Sequence, residues 1–121
     1  MQNPHHILVV DDQRGVRQLL ETFFKEEGFR TTTAGNGKEA VDLIERENPD
    51  LIIMDVKMPV MGGSEALARI KKLKPVIPVL MMTAYADEEK QKELLMLGAI
   101  ECFLKPLDLE QLLEKVYQVL Q

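Results

Sequence analysis

Five side chains in this sequence could do chemistry together: Asp11, Asp12, Asp55, Thr83 and Lys105. Each stands directly after a short apolar run. "HILVV" (6–10) leads into the aspartate pair, "LIIM" (51–54) into Asp55, "PVLMM" (78–82) into Thr83 and "ECFL" (101–104) into Lys105. Taken singly, such residues are ordinary: aspartates cap helices and close turns, threonines close turns, and lysines solvate loops. Taken together they bring carboxylates, a hydroxyl and an ammonium to one edge. Two like charges about 4 Å apart repel by roughly 1 kcal/mol in water and about 4 kcal/mol at an effective dielectric near 20. An acidic pair at the end of a buried run therefore calls for a cation. All-oxygen donors suit a hard divalent ion, most simply Mg²⁺, with Mn²⁺ as a second candidate. Such an ion, with the lysine, would offset the carboxylates and leave room for an anionic group. A carboxylate can itself attack phosphorus, with metal and donor groups holding the charge on the transferred phosphoryl.

The elements that would position these groups follow from periodicity. The near-continuous apolar runs read as strands covered on both faces, whereas "RTTTA" (30–34) is polar enough for a sheet edge. Between them the spacing changes to that of helices. Val16, Leu19, Leu20, Phe23 and Phe24 make one stripe, ended by Gly28. A second helix opens at Asn36, with Glu39 placed for a capping box. A third spans about Ser64 to Leu73 with Leu67 and Ile70 inward, and a fourth runs from near Asp87 to Gly98. The last begins at Asp108, with a stripe of Leu109, Leu112, Leu113, Val116 and Leu120. The order is βα five times, an α/β doubly wound parallel sheet with helices on both faces. Ligands in such folds bind beyond the carboxyl ends of the strands, where the five chemical residues fall.

Composition narrows the classes. With 121 residues, 45% hydrophobic and 29% charged, residues 1–121 read as one compact soluble domain. The single cysteine, Cys102, excludes an internal disulfide and suits a reducing cytoplasm. It reads as a small buried hydrophobe. The N-terminal "MQNPHH" lacks the apolar core of a signal peptide, and no run is long enough to span a membrane. A net charge of -5 argues against general nucleic-acid binding. His5 and His6 lie at the start of the chain without a partner motif, Gly62 and Gly63 read as turn glycines with unusual dihedrals, and Met54, Met81 and Met82 as core filling.

The segments "VVDDQ", "LIIMDVKMPVMGG", "MMTAY" and "FLKPL" resemble the receiver domains of bacterial two-component response regulators, and the likeness runs over essentially the whole chain. It implies a flavodoxin-like sheet of order 2-1-3-4-5. It also implies that Asp55 is the phosphoacceptor, that Asp12 binds the metal directly and Asp11 mostly through water, and that the Lys57 carbonyl is a further ligand. Thr83 and Lys105 would bind phosphoryl oxygens, with a cis Lys105–Pro106 bond. Within that family "DDQRGVRQLL", Lys57 and Tyr85 resemble the stand-alone sporulation phosphorelay receivers. These pass a phosphoryl from a kinase histidine to the histidine of a phosphotransferase. Partner contact would then fall on Gln13, Gly15, Val16, Leu19, Lys57, Tyr85, Pro106 and Leu107, with an aspartyl-phosphate phosphatase as a further candidate partner and a monomer as the expected state.

Two positions depart from the family pattern. Cys102 stands where most receivers carry a switching aromatic, and Leu107 replaces the phenylalanine common after the Lys-Pro pair. The first counts against a chemotaxis-type output receiver that binds an effector through its fourth helix, fifth strand and fifth helix. A stand-alone relay protein is expected over the receiver half of a transcription factor. A true phosphohydrolase would want an acid two residues after the nucleophile, where Lys57 stands, so slow self-dephosphorylation is expected instead of turnover. Tyr85 is either an exposed partner contact or a cover for Thr83.

Overall fold

A computed structural model describes residues 4–121; Met1 to Asn3, part of the segment read for a signal peptide, lie outside it. The strands are β1 (His6–Val10), β2 (Arg30–Ala34), β3 (Leu51–Asp55), β4 (Val79–Thr83) and β5 (Glu101–Leu104). The helices are α1 (Arg14–Glu26), α2 (Gly37–Arg46), α3 (Gly63–Leu73), α4 (Glu88–Met96) and α5 (Leu109–Leu120). All pairings are parallel, in the order β2-β1-β3-β4-β5. The polar "RTTTA" run is an edge strand, as its composition requires.

Alternation along β1 divides the core. Leu8 and Val10 face a cluster that includes Ile44 of α2, Leu67 and Ile70 of α3, and Leu94 of α4. Ile7 and Val9 face Leu20 and Phe24 of α1 with Leu112 and Val116 of α5. Burying each such aliphatic side chain stabilises the fold by about 1.5–3 kcal/mol. Met54, Met81 and Met82 are fully buried among them.

The helix ends behave largely as the sequence predicts. The Asp108 carboxylate accepts from Glu110 and Gln111 N–H, and the Asp87 carboxylate from Lys90 N–H. Glu39 N–H donates to Asn36 Oδ1 at 2.9 Å, but the return bond of the expected box goes one residue further back, from Gly35 N–H to Glu39 Oε1 at 2.8 Å.

Several expectations need correction. Strand β3 takes in Asp55 and β4 takes in Thr83, because Asp55 pairs with Met82 and Thr83 with Leu104 in the ladders. Leu19 leaves the predicted stripe and is 54% exposed, since Leu20 and Phe24 set the inward face of α1. His6 is not a loose end: it is buried in β1, and its Nε2 lies 2.6 Å from Thr32 Oγ1. Burial and the nearby Arg30 charge hold its pKa below the ordinary value. Neither Gly62 nor Gly63 has a positive φ; the residue that does is Val60, at 68° and exposed. Gly63 is required for closeness, because a Cβ there would overlap the Asp55 carbonyl oxygen and sit 2.9 Å from Met81 Cε.

These observations fix two opposite outcomes. Gly63→Ala should destabilise the chain by about 3 kcal/mol in denaturant unfolding, as overpacking against backbone does. Val60→Gly should stabilise it by about 1 kcal/mol, because a β-branched residue is strained in the left-handed region. An unchanged midpoint in either variant would contradict the backbone described.

Candidate functional site

The first site residues come from the end of β1. Asp11 N–H continues the sheet by donating to Ala34 O at 3.1 Å, which carries the Asp11 side chain under the surface, fully buried. Its Oδ1 accepts from Gln13 N–H at 2.8 Å and its Oδ2 from Lys105 Nζ at 2.7 Å. The turn reading of Asp11 is thus half correct: one oxygen closes the turn into α1, and the other holds the lysine. Asp12 points into solvent, and among the described residues no hydrogen bond holds its carboxylate.

Asp55 ends β3, 6% exposed, with Oδ1 3.5 Å from Lys105 Nζ. Thr83 ends β4, and its Oγ1 accepts from Tyr85 N–H at 3.1 Å. Lys105 N–H donates to Thr83 O at 2.7 Å, which fixes where the lysine leaves β5; the Lys105–Pro106 bond is cis. A cavity of about 190 Å³ opens between these groups, lined by Asp12, Asp55, Lys57, Thr83, Tyr85 and Lys105 among others. All five residues singled out for chemistry therefore meet at the carboxyl edge of the sheet.

The electrostatics are unbalanced. Carboxylate oxygens of Asp11, Asp12 and Asp55 lie within 4.8 Å of one another, facing one ammonium. Burial, and next the Asp11 charge, raise the Asp55 pKa to about 6, while Lys105 pulls it back down. Burial would lower the Lys105 pKa, but its bond to Asp11 and the charges of Asp55 and Asp11 outweigh this and hold it above the ordinary value. The three carboxylates outnumber the Lys105 ammonium, and they are hard oxygen donors, which fits a divalent cation. Both Asp11 oxygens are engaged, one by Gln13 N–H and one by Lys105, whereas no hydrogen bond among the described residues holds the Asp12 carboxylate.

The residues expected to meet partners divide in two. Gln13, Gly15, Leu19, Lys57, Tyr85 and Pro106 are exposed, whereas Val16 and Leu107 are partly buried against the α1–α5 core. Tyr85 is 56% exposed, with Lys57 Nζ 4.4 Å from its ring centre. Its ring is exposed, and its backbone N–H, not the ring, engages Thr83 Oγ1. Cys102 is half-buried against the α2–α4 side of the core, and burial, then Glu101, raises its thiol pKa. Sequence reading does not single out Arg17, whose Nη1 donates to Asp11 O at 2.7 Å.

Parallel strands, the acidic edge and the lysine set between two aspartates lead to one class. Residues 7–117 match the response regulator receiver domain, and the chain belongs to that family. It is 42% identical over 114 residues to sporulation initiation phosphotransferase F of Bacillus subtilis, spanning 94% of this chain and 92% of that protein. It is 41% identical over 117 residues to the regulatory protein AtoC of Escherichia coli, covering 97% of this chain and 25% of AtoC. Among solved structures, a CheY-like receiver domain protein from Methanospirillum hungatei superposes with a TM-score of 0.93 at 32% identity, covering 97% of this chain and 94% of that one. TrrA of Thermotoga maritima, solved in complex with Mg²⁺ and BeF, gives 0.86 at 36% identity, covering 95% and 98%. Among the described residues no helix is long and apolar enough to cross a membrane.

The raised Asp55 pKa has a measurable sign. The folded chain holds that proton more tightly than the unfolded chain, so stability falls as pH rises from the ordinary carboxylate range through about 6. In chelator, Asp55→Asn should raise Tm at about pH 8 by roughly 4 °C, near 1 kcal/mol after its lost lysine contact, and leave it unchanged at about pH 4. A variant less stable than the parent at about pH 8 would show that the carboxylate is not under charge stress.

Proposed function

We propose that this chain is a phosphorelay receiver, with residues 1–121 forming one receiver domain. It takes a phosphoryl group from a sensor kinase histidine onto Asp55 and hands it to the histidine of a phosphotransferase. The observation that carries this reading is the buried Asp55 carboxylate, set in a cavity of about 190 Å³ beside Thr83 and Lys105 and against two further aspartates. Likeness to sporulation initiation phosphotransferase F over nearly the full length of both chains supports the relay.

Asp12, Asp55 and the Lys57 carbonyl would hold Mg²⁺. When bound, that ion lowers the charge on the incoming phosphoryl and screens the carboxylates from one another. Asp55 supplies an oxygen lone pair to phosphorus in line with the leaving group. The new O–P bond forms as the N–P bond to the donor histidine breaks, and the imidazole leaves with that electron pair. Lys105 and the Thr83 hydroxyl then hold the phosphoryl oxygens, a role supported by the 3.5 Å from Lys105 Nζ to Asp55 and by both residues lining the cavity. The arriving charge competes with Asp11 for the ammonium and with the Tyr85 amide for Thr83, so the surface around Tyr85 responds to modification. The exposed Gln13, Gly15, Leu19, Lys57, Tyr85 and Pro106, with Val16 and Leu107 beneath them, form the partner surface. Hydrolysis is slow because the residue two positions after Asp55, which lines the same cavity, is Lys57 and not an acid. The chain acts in the cytoplasm as a monomer, and an aspartyl-phosphate phosphatase would use the same surface.

A second reading, an output receiver that binds an effector through α4, β5 and α5, is favoured by one observation. Met96 is 88% exposed there, with Leu104 and Tyr117 about half exposed.

Intact mass after incubation with acetyl phosphate tests the first step. One phosphoryl should be gained with Mg²⁺, none with chelator and none in Asp55→Asn. Lys105→Ala should still gain some phosphoryl but lose the change in the Tyr85 environment. The labelled protein should then pass its phosphoryl to a histidine phosphotransferase. Phosphorylation-dependent effector binding without onward transfer would favour the second reading, and label on Asp55→Asn would overturn both.

A further inference from the structure

Asp12 is the expected direct cation ligand, yet its own carboxylate has no hydrogen-bond partner among the described residues. Something else must fix where it points. The peptide that joins Asp11 to Asp12 carries the Asp11 carbonyl, and that carbonyl accepts from Arg17 Nη1 at 2.7 Å. The guanidinium reaches it from one turn inside α1. On its other side it lies along the β2–α2 turn, where a Cβ on Gly35 would be 3.5 Å from both Arg17 Nη1 and Glu39 Oε1. That turn is itself held. Gly35 N–H donates to Glu39 Oε1 at 2.8 Å, and Gly37 N–H donates to Met61 O at 2.9 Å, in the loop after β3 that begins beside Lys57. The β2–α2 turn contributes no group to the acidic cavity, but it joins the loops after β1 and β3 that do.

We infer that Arg17 is a positioning residue for the cation site: by clamping the Asp11–Asp12 peptide against the β2–α2 turn, it sets the direction of the Asp12 carboxylate. This rests on the reading of Asp12 and Asp55 as cation ligands. The charge of Arg17 alone would act in the opposite sense. A cation one peptide away from the acidic cluster repels Mg²⁺, so its loss by itself would tighten Mg²⁺ binding. Loss of the clamp releases the peptide, and orienting partners behind metal ligands are commonly worth about tenfold or more in affinity. The sign of the change therefore separates the two effects.

The experiment measures the Mg²⁺ dissociation constant of the full chain by calorimetry, with Tm in chelator recorded alongside. Arg17→Met should weaken Mg²⁺ binding about tenfold, and Arg17→Lys, which keeps a donor, should recover part of that loss. Should Arg17→Met fail to fold, Arg17→Gln is titrated instead, with weakening again expected. Unchanged or tighter Mg²⁺ binding in a folded neutral variant overturns the proposal, including when Tm falls, because that is the mark of a merely structural arginine. A parent chain that binds no Mg²⁺ overturns the functional reading and this inference together; a parent that binds it while Arg17→Met binds it equally well overturns this inference alone.

Discussion

One ammonium between two buried carboxylates organises this molecule. Lys105 Nζ is 2.7 Å from Asp11 and 3.5 Å from Asp55, and neither aspartate is open to bulk water. Breaking such an arrangement by removing a partner leaves a buried charge uncompensated, which is far more costly than losing a surface pair. The ends of β1, β3 and β5 must therefore finish at matching heights, and the parallel register secures this by pairing Val10 with Met54, Asp55 with Met82 and Thr83 with Leu104. The pair is also incomplete as compensation, since Asp12 adds a third carboxylate. That excess of carboxylate fits a divalent cation.

The surrounding surface bonds are weak by comparison. Ion pairs such as Arg69–Glu65 and Lys38–Asp42 are more than half exposed and set within single helices. They contribute a few tenths of a kcal/mol each and say little about function. The helices are held by their apolar faces, so the two halves of the core act as a rigid bed on which the loops at the carboxyl edge can differ. Tyr85, Lys57 and Val60 all sit on those loops, exposed, where a change of side chain alters what can dock without touching the bed.

Much of this was legible in the sequence because strand and helix periods are local signals. The runs 6–10, 30–34 and 101–104 coincide with strands, and the Asp87 and Asp108 caps fall where side-chain chemistry puts them. The chemical residues were legible because each closes an apolar run. What escaped were relations between segments far apart in the chain. Whether Asp55 and Thr83 belong to strands depends on neighbours across the sheet, and no local pattern carries that. Gly63 reads as a turn glycine until the Asp55 carbonyl is found against it. Leu19 fits a helical stripe by spacing, but the width of the buried face is set by what packs there. Arg17 is invisible for the same reason, since its partner is a backbone oxygen six residues back.

The Asp11–Lys105 bond joins residues 94 positions apart. During synthesis the chain emerges from its amino end, and all three site aspartates leave the ribosome long before the lysine does. Until β5 docks, the acidic edge lacks its ammonium, and the Thr83 carbonyl lacks the Lys105 N–H that donates to it. A nascent or truncated chain that stops short of Lys105 thus carries the acidic edge of β1 and β3 with its carboxylates uncompensated by that ammonium.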